Sequence, residues 1–245
     1  AFALPILQRL VDNPAPAQPS NARVLILTPT RELAAQVASN INDFAKYLDI
    51  SVLTLAGGGK QDVQARKLKA GAHIIVATPG RLLEHLTACN LSLSGVETLV
   101  LDEADRILDM GFSADVQQIL QAVSKTRQNL LFSATFSDAV KKLANLMLDR
   151  PQIISVNKQN STADTVSHTV YPVEQKRKRE LLSELIGKQN WQQVLVFAST
   201  RESCDVLVEE LNLDGIKSAV VHGEKAQGNR RRALREFMEG KVRVL

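Results

Sequence analysis

Cysteine is nearly absent from this chain of 245 residues: Cys89 and Cys204 stand far apart and neither has a C-x-x-C partner. A disulfide framework and a zinc cluster are therefore both excluded as organising devices, and a reducing, cytoplasmic setting is expected. No apolar run approaches the length of a membrane span, so a membrane role is not expected. Internal repeats and long low-complexity tracts are missing as well, the Pro-rich stretch Asn13 to Ser20 being only a connection after a first helical segment. Charge of one sign is in small excess: the net value of +4 is a mild lean toward polyanions and would not by itself establish a nucleic-acid partner.

What is present describes a globular α/β protein. Hydrophobic residues make up 44% and charged residues 23%, enough apolar side chain to bury a real core. Apolar, β-branched runs near 23–28, 51–56, 73–77, 97–102 and 127–132 are each followed by a helix-period segment, the mark of βα repetition and a parallel sheet. In the segment after Thr30, the spacing of Leu33, Val37, Ile41, Phe44 and Leu48 predicts a helix with that face on the sheet. A short strand IISV at 153–156 precedes the polar, aperiodic stretch 158–166, which reads as a linker between domains 1–157 and 167–245. Beyond it, strands are expected at SHTVYPV, QVLVFA, KSAVVHG and VRVL, alternating with helices KRKRELLSELIG, Glu202 to Leu213 and QGNRRRALREFMEG. Cys204 shares a helical face with Leu207, Val208 and Leu211 and reads as a core thiol. The four cations Lys176 to Arg179 oppose the dipole of the helix they open and read as a solvated face.

The stretch with the most chemistry is VETLVLDEADRILDMGF, Val96 to Phe112. A buried strand would lift Asp102 to the carboxyl edge of a parallel sheet, where open α/β folds bind ligands and a Walker-B aspartate holds the metal of a nucleoside triphosphate. Glu103 beside it could orient or deprotonate an attacking water. The bare tetrapeptide has a second reading, since carboxylates also suit the positive end of a helix dipole. Its company decides the matter. Pro29-Thr30-Arg31-Glu32-Leu33, Gly57-Gly58-Gly59, Thr78-Pro79-Gly80-Arg81 and Ser133-Ala134-Thr135 each follow a strand.

These motifs, with RVLILTPTRELAAQ, VATPGRLLEHL, RQNLLFSATF and VLVFAST in that order, resemble the DEAD-box RNA helicases, most of all the bacterial subgroup typified by RhlE. The resemblance runs from Ala1 to Leu245. It implies two RecA-like parallel-sheet domains in tandem, both truncated, that close over ATP, Mg2+ and RNA. It further implies that Asp102 positions magnesium through water, that Glu103 acts on the attacking water, and that Asp105 links to Ser133 and Thr135. RNA contacts would come from Pro29, Thr30, Arg31, Gly58, Thr78, Pro79, Gly80 and Arg81. In the second domain they would come from Thr200, His222, Gly223, Gln227 and Arg230. Helix N-termini and glycine loops present backbone amides to phosphates, so such contacts carry little sequence information. Roles in ribosome assembly or RNA decay are what the resemblance suggests. The alternatives are a nucleotide-independent RNA-backbone-binding module and a DNA-directed helicase.

Within the chain there is no nucleotide P-loop. Gly-Lys occurs at Gly59-Lys60, Gly187-Lys188 and Gly240-Lys241, but Thr54, Leu182 and Arg235 stand where the first glycine is required, and no Ser or Thr follows. The resemblance implies that the P-loop, an adenine-reading glutamine segment and an arginine-finger motif belong to the family, and the chain opens in mid-helix and stops inside a strand. Losing an arginine finger alone costs roughly 10³- to 10⁵-fold in phosphoryl transfer. These 245 residues expressed by themselves are therefore expected not to turn over ATP. RNA-stimulated phosphate release from them would overturn that expectation.

Overall fold

The computed structural model describes residues 1–155 and 166–245, so most of the expected linker 158–166 lies outside the described residues. The chain parts into two compact units, Ala1–Ala163 and Asp164–Leu245.

The first unit is built on five parallel strands: β1 Val24–Leu27, β2 Val52–Leu55, β3 Ile74–Ala77, β4 Thr98–Leu101 and β5 Gln128–Leu131. They stand in the order β2-β3-β1-β4-β5. The three inner strands VLIL, IIVA and TLVL are buried at every position, as expected for parallel strands covered on both faces. The edge strands are shorter of apolar cover: VLTL alternates buried and half-buried, and QNLL begins exposed. Ser133 and Thr135 therefore follow an edge strand, Gln128–Leu131, that is only partly buried.

Side chains alternate between two layers along each strand. Leu25, Leu27, Ile75, Ala77, Leu99 and Leu101 face one layer, where they meet Leu68, Leu82, Ile107, Val116, Ile119, Leu143 and Met147. These last come from α3 Gln61–Ala70, α4 Pro79–Thr87, α5 Ala104–Asp109, α6 Ser113–Ala122 and α7 Asp138–Met147. Val24, Ile26, Ile74, Val76 and Val100 face the other layer, against Ile6, Leu7 and Leu10 of α1 Ala3–Asp12 and Ala34, Val37, Ala38 and Ile41 of α2 Arg31–Phe44. The face of α2 on the sheet is the expected one at Leu33, Val37 and Ile41 and departs from it at Phe44 and Leu48. Two alanines let the helix backbone come close to the sheet, while Phe44, the last helical residue, is 53% exposed and Leu48, beyond the helix end, is 37% exposed. The strand expected at IISV is also missing over Ile153–Ser155, where Ile153 and Ile154 have no sheet to join and are exposed, and Val156 lies outside the described residues.

The second unit has α8 Lys178–Lys188, preceded by a 3-10 turn at Gln175–Arg177, α9 Arg201–Leu213 and α10 Gln227–Met238. The helices fall where the sequence pattern puts them. The expected strands do not form as such. SHTVYPV has no regular structure, with Val170 88% exposed. The other three meet only in isolated parallel bridges, Val194 to Val244 and Ser218 to Val244. The physical reason is that all pairing runs through the four residues 242–245: Leu245 N donates to Val194 O and Val196 N to Leu245 O on one side, and Ala219 N to Val244 O on the other. Ile186, Leu211 and Val244 form the small core of this unit. Cys204 keeps the face shared with Leu207, Val208 and Leu211 but is only half-buried. Arg179 is paired with Glu210 and Asp214.

Ile75 is fully buried in the middle of the sheet. Truncating such a residue removes its packing in the layer it faces and leaves a cavity, so Ile75→Ala is expected to destabilise the first unit by about 2–5 kcal/mol. Urea unfolding checks this, and a change below about 1 kcal/mol would contradict the packing described.

Candidate functional site

The strands end level. Leu27 is in register with Ala77 on one side and Leu101 on the other, Leu55 with Ala77, and Leu101 with Leu131. Parallel hydrogen bonds run one step further: Thr28 N to Ala77 O at 2.9 Å, Thr78 N to Leu55 O at 3.0 Å, Asp102 N to Leu27 O at 2.9 Å and Phe132 N to Leu101 O at 2.8 Å. Each loop motif therefore starts at one height above the sheet. Across the edge their order is Gly57–Gly59, Thr78–Arg81, Pro29–Arg31, Asp102–Asp105 and Ser133–Thr135, which is not their order in the sequence. After β1 the chain leaves toward the β2 edge, and after β4 toward the β5 edge, so a crevice opens between Thr28–Thr30 and Asp102 at the switch point typical of ligand sites.

At the β4 end, Asp102 is half-buried, and its Oδ1 accepts from Glu103 N at 3.1 Å. Burial, as the main cause, lifts its carboxyl above the ordinary aspartate range; the Glu103 amide opposes this and the Glu103 carboxylate adds to it. Glu103 itself has a left-handed backbone, φ 52° and ψ 54°. Two anchors force it there: Asp102 N is still bonded to Leu27 O, and Ala104 N already donates to Phe132 O at 2.9 Å. A non-glycine residue so held stores on the order of 1–3 kcal/mol of strain. Helix α5 has no side-chain cap bond at its start, so the plain capping reading of these carboxylates has no bond behind it.

Asp105 reaches across to the β5 loop. Its Oδ2 accepts from Thr135 N and from Thr135 Oγ1, both at 2.9 Å, and its Oδ1 from Arg106 N at 3.0 Å. Ser133 Oγ accepts from Asp105 N at 3.3 Å and donates to Thr135 O at 2.7 Å. Burial pushes the Asp105 carboxyl upward, but the hydrogen bonds from Thr135, Arg106 and Ser133 together outweigh it and hold the group below its ordinary value.

On the other half of the edge, Thr30 Oγ1 caps α2 by accepting from Leu33 N at 3.2 Å. Arg31 lies over the glycine turn: a Cβ added to Gly58, which has φ +82°, would run into its guanidinium, and one on Gly57 would stand 3.7 Å from Arg31 Cδ. Two sequence motifs thus become one surface. Pro29 is buried, and Pro79 is the first residue of α4, after a buried Thr78. A Cβ added to Gly80 would stand 3.7 Å from Asp115 Oδ2 and 3.9 Å from Phe112 Cε1. The Arg81 side chain is 13% exposed, and its Nε stands 3.3 Å from Glu84 Oε2.

In the second unit, Thr200 Oγ1 caps α9 by accepting from Ser203 N at 3.1 Å. His222 is turned inward, its Nε2 3.2 Å from Asp205 Oδ2, while Lys225 Nζ holds Asp205 Oδ1 at 2.8 Å. Gly223 follows in an exposed turn, Gln227 opens α10 and Arg230 stands in its first turn. The Gln227 side chain lies outside the described part. Sequence reading passed over Gln64, His85 and Asn90, which form a polar chain between the glycine turn and α4. A signal was there in His85, one turn beyond Leu82 on the inward face of α4.

A level parallel sheet with helices on both faces, and with paired carboxylates and hydroxyls at its carboxyl edge, defines a RecA-like α/β protein. Residues 1–143 match the family described as DEAD/DEAH box helicase, and residues 177–245 match the helicase conserved C-terminal domain. The chain belongs to the DEAD/DEAH box helicase family. It is 41% identical to the ATP-dependent RNA helicase RhlB of Pseudomonas aeruginosa, over 100% of this chain and 63% of that protein. It is 38% identical to the DEAD-box ATP-dependent RNA helicase CshA of Bacillus cereus, over 100% of this chain and 46% of that one. It thus spans about half to two thirds of the length of these relatives. Among solved structures, S. cerevisiae Dbp5 bound to RNA and ADP BeF3 is similar, with a TM-score of 0.81 at 27% identity over 100% of this chain and 61% of that one. The yeast splicing factor Prp28 matches with a TM-score of 0.61 at 28% identity over 99% of this chain and 57% of that one.

The Asp105 bonds yield a prediction with a sign. A carboxyl held below its ordinary value stabilises the fold above the unfolded value of 3.8 and loses that contribution as pH falls through the lower folded value. Asp105→Ala is expected to cost about 2 kcal/mol at neutral pH. The deficit should shrink when urea unfolding is repeated in acid below the folded value, and an equal deficit at both pH values would contradict the account.

Proposed function

We propose that the chain belongs to an ATP-dependent RNA helicase, in which RNA-stimulated ATP hydrolysis drives local opening or remodelling of an RNA duplex. One observation carries the reading: the half-buried Asp102 and the backbone-constrained Glu103 stand together at the end of β4, beside the crevice between β1 and β4. RNA helicases of the same family, similar over the whole chain, support it. The narrower RhlE-like placement rests on motif wording alone.

On this reading Asp102 holds Mg2+ through water. The donor set fits, since one carboxylate with a second beside it suits a cation that keeps most of its waters and binds phosphate as well. Partial burial also favours a cation there, because it relieves the desolvated charge that lifts the Asp102 carboxyl. Magnesium would neutralise charge on the triphosphate. Glu103 orients the attacking water and takes up its proton. Asp105 and the loop it grips at Thr135 transmit the nucleotide state to the neighbouring loop.

The other half of the edge binds RNA by its backbone. Pro29, Thr30, Arg31, Gly58, Thr78, Pro79 and Gly80 present helix N-termini and a glycine turn to phosphates, with Arg31 as the forked cation of that surface. Arg81, tied to Glu84, orders the start of α4 and contacts RNA only if that pair opens. Thr200, His222, Gly223, Gln227 and Arg230 supply the second unit's contacts, with His222 acting through Asp205. We place the protein in the cytoplasm, in keeping with its scarce cysteine and with the finding that no helix among the described residues is long and apolar enough to cross a membrane. Ribosome assembly and RNA decay are the settings proposed for it.

The test uses the full-length protein that carries this chain. Glu103→Gln is expected to lower RNA-stimulated phosphate release by roughly 10²- to 10⁴-fold, while binding of a single-stranded RNA in the presence of ATP persists. Binding without any hydrolysis by the unaltered protein would favour the nucleotide-independent clamp instead. Equal stimulation by DNA would favour a DNA-directed enzyme, since the 2′-hydroxyl is what separates the two.

A further inference from the structure

Gln64 and His85 lie outside the strand-end motifs, yet they join two loops of the carboxyl edge. Gln64, on α3, donates its Nε2 to Ala56 O at 3.0 Å, immediately before the glycine turn. A carbonyl oxygen can only accept, so the orientation of the amide is fixed and its Oε1 is left to face His85 Nε2 at 3.0 Å. That ring nitrogen therefore carries the proton, and the bare Nδ1 accepts from Asn90 Nδ2 at 3.4 Å. His85 is fully buried on α4, the helix that opens at Pro79. Burial first, and the Arg81 charge second, push its pKa down, with Glu84 opposing, so the neutral ring that this bonding needs is the favoured one.

The glycine turn lies close to Gln64 of that pair. A Cβ on Gly59 would come within 3.0 Å of Gln64 Nε2, and on the far side Arg31 covers Gly57 and Gly58. A buried histidine serving only the core needs a partner and nothing more. Here the bonds run from α4 through α3 and end on loop backbone, where an apolar pair would fill the space without fixing the loop.

We propose that Gln64 and His85 are positioning residues for RNA, which fix the glycine turn relative to the N-terminus of α4 so that both loops engage one RNA strand as a unit. This rests on the RNA-binding reading above. The two residues touch no RNA on this account. They act through Ala56 and the turn that follows it.

The experiment measures ATP hydrolysis by the full-length protein against a single-stranded oligouridylate, comparing wild type, Gln64→Leu, His85→Leu, His85→Gln and the Gln64→Leu/His85→Leu double variant. Gln64→Leu is expected to raise the half-saturating RNA concentration about tenfold, as befits loss of one ordering hydrogen bond. The rate at saturating RNA and the RNA-free rate should stay within about twofold, a margin well under one such bond. His85→Leu should match it, the double variant should be no worse than either, and His85→Gln, which restores an amide donor, should recover most of the loss. Gln64 is only partly buried, so Gln64→Leu and His85→Gln carry the test if His85→Leu does not fold. An unchanged half-saturation in Gln64→Leu, effects that multiply in the double variant, or an equal fall in the saturating and RNA-free rates would overturn the proposal. A wild-type protein with ATPase activity that RNA does not stimulate would overturn the RNA reading beneath it.

Discussion

Parallel register is the constraint on which the rest of this structure depends. Hydrogen bonding sets Leu55, Ala77, Leu27, Leu101 and Leu131 in one transverse row, and the residues that follow them leave the sheet together. With strands about 4.8 Å apart, motifs scattered over more than a hundred positions of sequence are brought into a line about 19 Å long. Burial makes this register hard to lose. A slip of one residue would turn Leu25, Ile75 and Leu99 into the wrong layer at once.

The row divides by chemistry at the crevice between β1 and β4. On one side stand glycine, threonine and proline at helix starts, with the Arg31 cation laid over a turn that only glycine fits. On the other stand the carboxylates and hydroxyls of the β4 and β5 loops, cross-linked by Asp105 and Thr135. The two halves share a backbone bond, since Asp102 N donates to the last residue of β1. Any shift of the β1 loop is therefore felt at Asp102 without passing through a side chain.

Much of this was legible in the sequence, for physical reasons. Inner strands of a parallel sheet are buried on both faces, so they read as unbroken apolar runs, and all five strands of the first unit lie inside the runs that announced them. The second unit defeated the same reasoning: QVLVFA and KSAVVHG have the composition of strands, but a strand exists only through its neighbours, and Val244 alone bridges both. The face of α2 is legible at Leu33, Val37 and Ile41, but periodicity weighs Phe44 and Leu48 above alanine, whereas close approach to a sheet selects Ala34 and Ala38. Within the site, residue types announced the carboxylates. What they did not announce were the left-handed backbone of Glu103, set by two tertiary hydrogen bonds, and the folding of Arg81 onto Glu84.

The level carboxyl row also governs where the sequence can change length. One residue added within β1, β3 or β4 would raise the following loop by about 3.3 Å and reverse the facing of every later side chain in that strand. Residues added at the opposite ends of the strands, in exposed stretches such as 46–49 before β2 or 125–126 before β5, would leave the row untouched. The sheet thus has one edge that tolerates insertion and one that does not.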